Sequence, residues 1–249
     1  MSGHSKWSSI KHKKGLADAK RGKVFTKIIK EITIAARMGG GDAEGNARLR
    51  RVIDLAKGQN MPNDNIARAI KKGTGELEGV VYEELTYEGV GPSGALILAA
   101  VVTDSRNRTA AELRKIFDRH NGQLGSGGSA AWAFEEKGTI VLPKEAATEE
   151  QLFEIAVGAG AEDIERFGDE WIVTMSKDAL DEVREALTKA GISINSAQLE
   201  MLPKNKISVE GREAEVLINL VEALEEHDDV LKVFTNFELS EKELARLAQ

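Results

Sequence analysis

The chain contains no cysteine, which excludes a disulfide framework, a thiolate zinc site and a thiol nucleophile, and fits a reducing compartment. Aromatics are few, at 5%, whereas 41% hydrophobic and 30% charged residues are the make-up of an ordinary soluble protein. The longest apolar run, ALILAAVV at 95–102, is far too short to cross a bilayer. No hydrophobic stretch follows the charges at the amino end, so no membrane partner is expected and the cytoplasm is the expected location. Catalytic patterns are lacking as well. His4, His12, His120 and His227 are scattered, with none in H-E-x-x-H spacing or beside a serine and an aspartate. The acids, densest in EALEEHDD at 222–229, read as solvated faces of an acidic body. No enzyme activity, cofactor or metal site is therefore expected.

Charge is present but unevenly placed. Residues 1–75 carry 17 Lys and Arg against 6 Asp and Glu, and the remainder 17 against 35, so +11 and −18 make the net −7. Lys6, Lys11, Lys13, Lys14, Lys20, Arg21, Lys23, Lys27 and Lys30 face one acid, Asp18, in the first 30 residues. A small basic module joined to an acidic body repels itself unless a polyanion neutralises it, and nucleic acid is the polyanion that suits.

From Lys20 to Met38, Phe25, Ile28, Ile29, Ile32, Ala35 and Ala36 recur at helical spacing, with Lys20, Lys23, Lys27 and Lys30 on the opposite face. GGG at 39–41 ends that helix. A second, at about 44–59, turns Leu49, Val52, Ile53 and Ala56 inward and Arg50, Arg51 and Lys57 away. A third follows NMPNDN, with Asn63 or Asp64 as its expected cap, Ile66 and Ile70 inward, and Arg68, Lys71 and Lys72 outward. The segment before Lys20 lacks apolar periodicity and reads as a basic arm that orders on its partner. Its Trp7 either packs locally, the favoured role, or stacks on a base.

After a KGTGELEG linker the pattern turns to strands. VVYEELTYE and ALILAAVVT flank GVGPSG, where Gly89, Gly91 and Gly94 match G-x-G-x-x-G. A strand rather than a helix follows, so the match reads as a hairpin turn. In TDSRNRTAAELRKIF, Thr109 and Glu112 fit a capping box for a helix from about Ala110 to Asn121. Arg106 and Arg108 then precede its amino end, where they serve either structure or a phosphate. GQLGSGGS can form an anion-binding nest but reads more safely as a flexible connection into an AAWAF strand. The following elements run TIVLP, a helix at 149–158, an EDIERF/EWIVTM hairpin, a helix at 178–190 and a strand ending at Pro203. Their order, βαββαβ, is the ferredoxin-like pattern. A helix at 211–226 and VLKVFTNF complete a second α+β sandwich around it.

MSGHSKWSSIKHKK, NARLRRVIDLAKGQNMPNDNIARAIKKGTG, TDSRNRTAAELRKIF, GSAAWAFEEKG and DDVLKVFTNFELS, in that order, resemble the YebC/PmpR family, which includes the mitochondrial translational activator of cytochrome oxidase subunit one. NGQLG where the family has GGxLG, and Ala131 and Ala133 where larger apolar residues are common, are packing-scale departures. The resemblance implies a non-catalytic three-domain protein, described as a probable cytoplasmic transcriptional regulator that binds DNA. Members are also linked to translation on the ribosome. Carried over as nucleic-acid contacts are Lys6, Lys11, Lys13, Lys14, Arg48, Arg50, Arg68, Lys71 and Lys72, then Arg106 and Arg108.

The expected fold is thus multidomain α+β: a basic arm and three-helix domain over 1–78, an α+β domain from 79–136 plus 205–240, and an inserted ferredoxin-like domain over 137–204. Three functions follow. A DNA-binding regulator needs a base-reading element, and no helix-turn-helix signature is visible. A ribosome-associated factor binding rRNA or tRNA needs only phosphate contacts and shape. An adaptor would meet a protein partner through the acidic domains.

Overall fold

The computed structural model describes the backbone of residues 18–247 and the side chains from Gly22 onward, Glu241 excepted. The chain runs α1 (Asp18–Gly39), α2 (Ala47–Gly58), α3 (Asn63–Thr74), β1 (Glu83–Val90), β2 (Leu96–Thr103), α4 (Arg106–Arg119) and β3 (Gln123–Leu124). It continues through β4 (Phe134–Pro143), α5 (Glu149–Leu152), β5 (Ala161–Phe167), β6 (Glu170–Ser176), α6 (Leu180–Lys189) and β7 (Ser196–Pro203). Last come β8 (Ile207–Ser208), α7 (Gly211–Glu225), β9 (Val230–Thr235), β10 (Phe237–Glu238) and α8 (Glu241–Leu247). This is the expected α+β chain, helices first and sheets after, two of them four-stranded and one a short parallel pairing of β10 with β8. It divides into two compact units, one made of the chain up to Ala133 and from Pro203 onward, the other of Phe134–Leu202.

In the first unit α2 and α3 both pack chiefly on α1 and only slightly on each other. The apolar stripes meet at Ile32, Ala36, Leu49, Val52, Ile66 and Ala69. Gly73 sets the crossing of α1 and α3, because a Cβ there would lie 2.4 Å from the Thr33 carbonyl oxygen. Asn46 joins α1 to α2: its side-chain oxygen accepts from the Leu49 N–H at 3.0 Å, and its amide donates to the Ala35 and Gly40 carbonyls at 2.8 and 2.9 Å. Neither Asn63 nor Asp64 caps α3. Pro62 holds the cap position, and its carbonyl accepts the Asn65 N–H at 3.0 Å. Proline's fixed φ suits that entry, so no side-chain cap is used.

The first unit's sheet has the strand order β3-β1-β2-β9. Each neighbouring pair is antiparallel, with Leu85 opposite Val101 and Leu98 opposite Phe234. Ile97, Ala99 and Val101 of β2 pack with Leu113 and Phe117 of α4 and Leu217 and Val221 of α7. Gly89–Gly94 is the β1–β2 hairpin, closed by the Gly91 N–H on the Ala95 carbonyl at 2.7 Å. AAWAF is not a strand of this sheet: Ala131–Ala133 forms one 3-10 turn and Phe134 opens β4. The strand beside β1 is Gln123–Leu124, inside the stretch read as a flexible connection.

The second unit is a four-stranded sheet ordered β5-β6-β4-β7, the ferredoxin-like arrangement of a βαββαβ chain. Ile140, Trp171, Val173, Leu152, Val183 and Leu187 form its core. Thr148 and Gln151 make a reciprocal capping box at α5, and the helix continues as a π-turn over Phe153–Val157.

Candidate nucleic-acid interface

Helix α3 presents Arg68, Lys71 and Lys72 to water at i, i+3 and i+4, so the three charges share one face. Among the described residues none of the three side chains meets an acid, and Lys57 on α2 is exposed as well. The helix ends at Gly75 in the left-handed conformation, which closes the last turn behind the two lysines.

The lysine face of α1 has a different use. The Lys23 ammonium donates to the Glu226 carbonyl at 3.1 Å, and Lys27 donates to the Glu225 carbonyl. Those carbonyls form the carboxyl end of α7, where unpaired acceptors and the helix dipole both favour a cation. Burial pushes the Lys27 ammonium below its ordinary pKa, against the attraction of Glu225 and Asp228. Lys30 is buried. It donates to Asp229 Oδ1 at 2.6 Å and to the Asp228 carbonyl at 3.0 Å, and lies 5.7 Å from the centre of the Tyr82 ring. The expectation that Lys30 presents charge to a polyanion is therefore corrected, because it is buried against Asp229, while Lys23 and Lys27 meet the carboxyl end of α7.

Asp229 is the node of that corner. Its Oδ2 accepts from Thr109 at 2.7 Å, Arg108 at 2.9 Å and Thr103 at 3.1 Å, so one carboxylate ties α1, β2 and α4 together. Burial disfavours its charge, but Lys30, Thr109 and Arg108 outweigh burial and hold the carboxyl well below its usual range. Arg108 also pairs with Asp104 at 2.8 Å. Thr109 caps nothing. It lies wholly buried inside α4, whose N-cap is Ser105. Arg106 and Arg108 accordingly sit in the helix's first turn, not before it. Arg106 stays exposed, with a loose pair to Glu83 at 3.7 Å.

On α2, Arg48 grips Glu84 with two hydrogen bonds of 2.9 and 2.7 Å. Arg50 donates to the Ala43 and Glu44 carbonyls at 3.4 and 3.3 Å, and Arg51 is half-buried with a partner of its own. Of the expected contacts, the structure gathers Arg68, Lys71 and Lys72 and assigns Lys23, Lys27, Lys30, Arg48 and Arg108 to internal partners. Lys6, Trp7, Lys11, Lys13, Lys14 and the Lys20 side chain lie outside the described residues.

The glycine-rich loop does form an anion-binding nest, and its anion is the protein's own. Glu88 of β1 accepts the N–H groups of Gly128, Ala130 and Ala131 at 2.7, 2.6 and 2.8 Å. Burial opposes ionisation of Glu88, but the three backbone donors prevail and lower its pKa. Composition marked the nest; the acid that fills it is forty residues away and carries no local signal.

Comparison with known proteins gives consistent matches. Residues 5–76 match the TACO1/YebC protein N-terminal domain, and residues 82–237 the TACO1/YebC second and third domain. The chain is 53% identical to a "probable transcriptional regulatory protein" of Geotalea uraniireducens, over 99% of this chain and 100% of that one. A protein of the same description from Syntrophus aciditrophicus is 51% identical over the full length of both chains. The crystal structure of a conserved hypothetical protein from Aquifex aeolicus superposes with a TM-score of 0.84 at 45% identity, covering 90% of this chain and 93% of that one.

Proposed function

Because this chain belongs to the TACO1/YebC family, many of whose members are named probable transcriptional regulatory proteins, we propose that it is a non-enzymatic regulator of gene expression that binds nucleic acid through its basic amino-terminal part. The observation that carries this reading is the exposed face of Arg68, Lys71 and Lys72 on α3, which no acid among the described residues pairs. In sequence it is joined by the arm lysines Lys6, Lys11, Lys13 and Lys14. Each cation that reaches a phosphate releases counterions, so the affinity is salt-dependent and largely indifferent to sequence.

The names of the relatives favour duplex DNA as the target. One structural observation favours a second reading, structured RNA such as that of the ribosome. In a helix-turn-helix the first helix braces the second in the major groove, whereas α2 and α3 here pack chiefly on α1 and only slightly on each other. A face of one arginine and two lysines positions a backbone without reading bases. The acidic remainder leaves a protein-binding role for the α+β parts, in the cytoplasm, with no membrane and no cofactor involved. Among the described residues no helix is long and apolar enough to cross a membrane.

The test is binding of the purified protein to ribosomes and to duplex DNA across the same salt titration. Retention of DNA at physiological salt with one sequence preferred establishes the transcriptional reading. Retention of ribosomes with loss of DNA establishes the RNA reading, and binding to neither at low salt refutes both.

A further inference from the structure

Trp132 is 65% exposed, and no other tryptophan among the described residues faces water. Its ring is also tied to its own loop. Its indole N–H donates to the Ser129 carbonyl at 3.1 Å, which satisfies the only polar atom of the ring within its own loop. The backbone before it is pinned by Glu88 through the Ala130 and Ala131 N–H groups. The backbone after it is pinned by the Lys204 N–H on the Ala133 carbonyl at 2.9 Å. The Lys204 ammonium donates to the Trp132 carbonyl at 2.9 Å. Lys204 and Lys206 are both exposed in the connection between β7 and β8, Lys204 against the loop itself and Lys206 two residues further on.

An indole with its N–H satisfied offers only its π-face, and ordering it in water brings no folding benefit of the kind a buried ring has. An aromatic face beside lysines is the arrangement by which proteins hold single-stranded nucleic acid: the ring stacks on a base and the ammonium groups meet the flanking phosphates. We propose that Trp132, with Lys204 and Lys206, is a stacking site for an unpaired nucleobase, separate from the basic face of α3. The site rests on the nucleic-acid reading above. Bases within a duplex are already stacked on one another, so the indole engages loops, bulges and single strands. Because every base has a π-face and Trp132 has no free donor, the site is indifferent to base identity.

The experiment measures binding of a labelled single-stranded RNA and of a duplex of the same sequence to the full chain and three variants: Trp132→Ala, Trp132→Phe, and Arg68→Ala/Lys71→Ala/Lys72→Ala. Trp132→Ala is expected to weaken the single strand about five-fold or more and leave the duplex unchanged, with Trp132→Phe keeping most of the affinity. The α3 variant is expected to weaken both ligands. A Trp132→Ala variant that holds the single strand as well as wild type, or loses both ligands alike, overturns the stacking site while loss in the α3 variant keeps the broader reading. Binding of neither ligand by the unaltered protein removes the stacking site and the broader reading together.

Discussion

The Lys30 ammonium lies 2.6 Å from Asp229 Oδ1, and both side chains are more than nine-tenths buried. A lysine from a face that looks solvent-bound in the sequence thus closes a polar cluster on which α1, β2, α4 and the turn before β9 converge. Such a pair adds little over an apolar substitute, but removing one member strands the other.

Asp229→Ala is therefore expected to lower unfolding free energy by about 3–5 kcal/mol, since it leaves the buried Lys30 ammonium without its carboxylate, while Arg108 keeps Asp104. Lys30→Ala should cost less, because Arg108, Thr103 and Thr109 still hold the carboxylate. In urea denaturation the double variant should fall short of the sum of the singles. Additive losses would show that the two side chains are not coupled.

Acid should act through the same residue. The folded-state pKa of Asp229 is depressed, chiefly through Lys30, Thr109 and Arg108 acting against burial. Its contribution is then complete above the unfolded value of about 3.9 and is lost as pH falls below it. The stability gap between wild type and Asp229→Asn should shrink from pH 7 to pH 3, whereas the acid loss from Glu88 falls on both proteins alike and leaves the gap unchanged. A gap unchanged over that range would contradict the assignment.

Gly73→Ala tests the crossing of α1 and α3. Helix propensity alone favours alanine by about 1 kcal/mol, but the new Cβ would stand 2.4 Å from the Thr33 carbonyl. Overpacking of that kind costs about 1–3 kcal/mol, so thermal unfolding should show a lower midpoint. A raised midpoint would mean that the helices part without penalty.

Glu88→Ala should loosen the loop it threads. Amide hydrogen exchange at Gly128, Ala130 and Ala131 is expected to quicken, because their shared acceptor is gone. Unaltered exchange would show that the loop is ordered without Glu88.

The sequence marks the elements far better than the partners of their polar faces. Apolar periodicity locates α1, α2 and α3 and the βαββαβ order of the second unit, because burial of one face is a local, repeating demand. Lys23, Lys27 and Lys30 lie on a polar face by the same rule, but periodicity cannot distinguish water or phosphate from the carboxyl end of a helix two hundred residues on. Thr109 and Glu112 match a capping box in spacing, whereas burial of Thr109 against Asp229 is a tertiary fact. The glycine-rich loop shows the same limit: its composition permits a nest, and only the β1–β3 pairing brings Glu88 to fill it.

The central claim separates two sets of lysines that look alike in sequence, and one measurement divides them. Salt-dependent binding of RNA or DNA would be compared for wild type, Lys71→Ala/Lys72→Ala and Lys23→Ala/Lys27→Ala. The account predicts that the α3 pair lowers affinity and reduces the salt slope by about one per lysine. The α1 pair should leave both unchanged and lower stability instead, having lost the carbonyl contacts at the end of α7. Loss of affinity through Lys23 and Lys27 with none through Lys71 and Lys72 would contradict it.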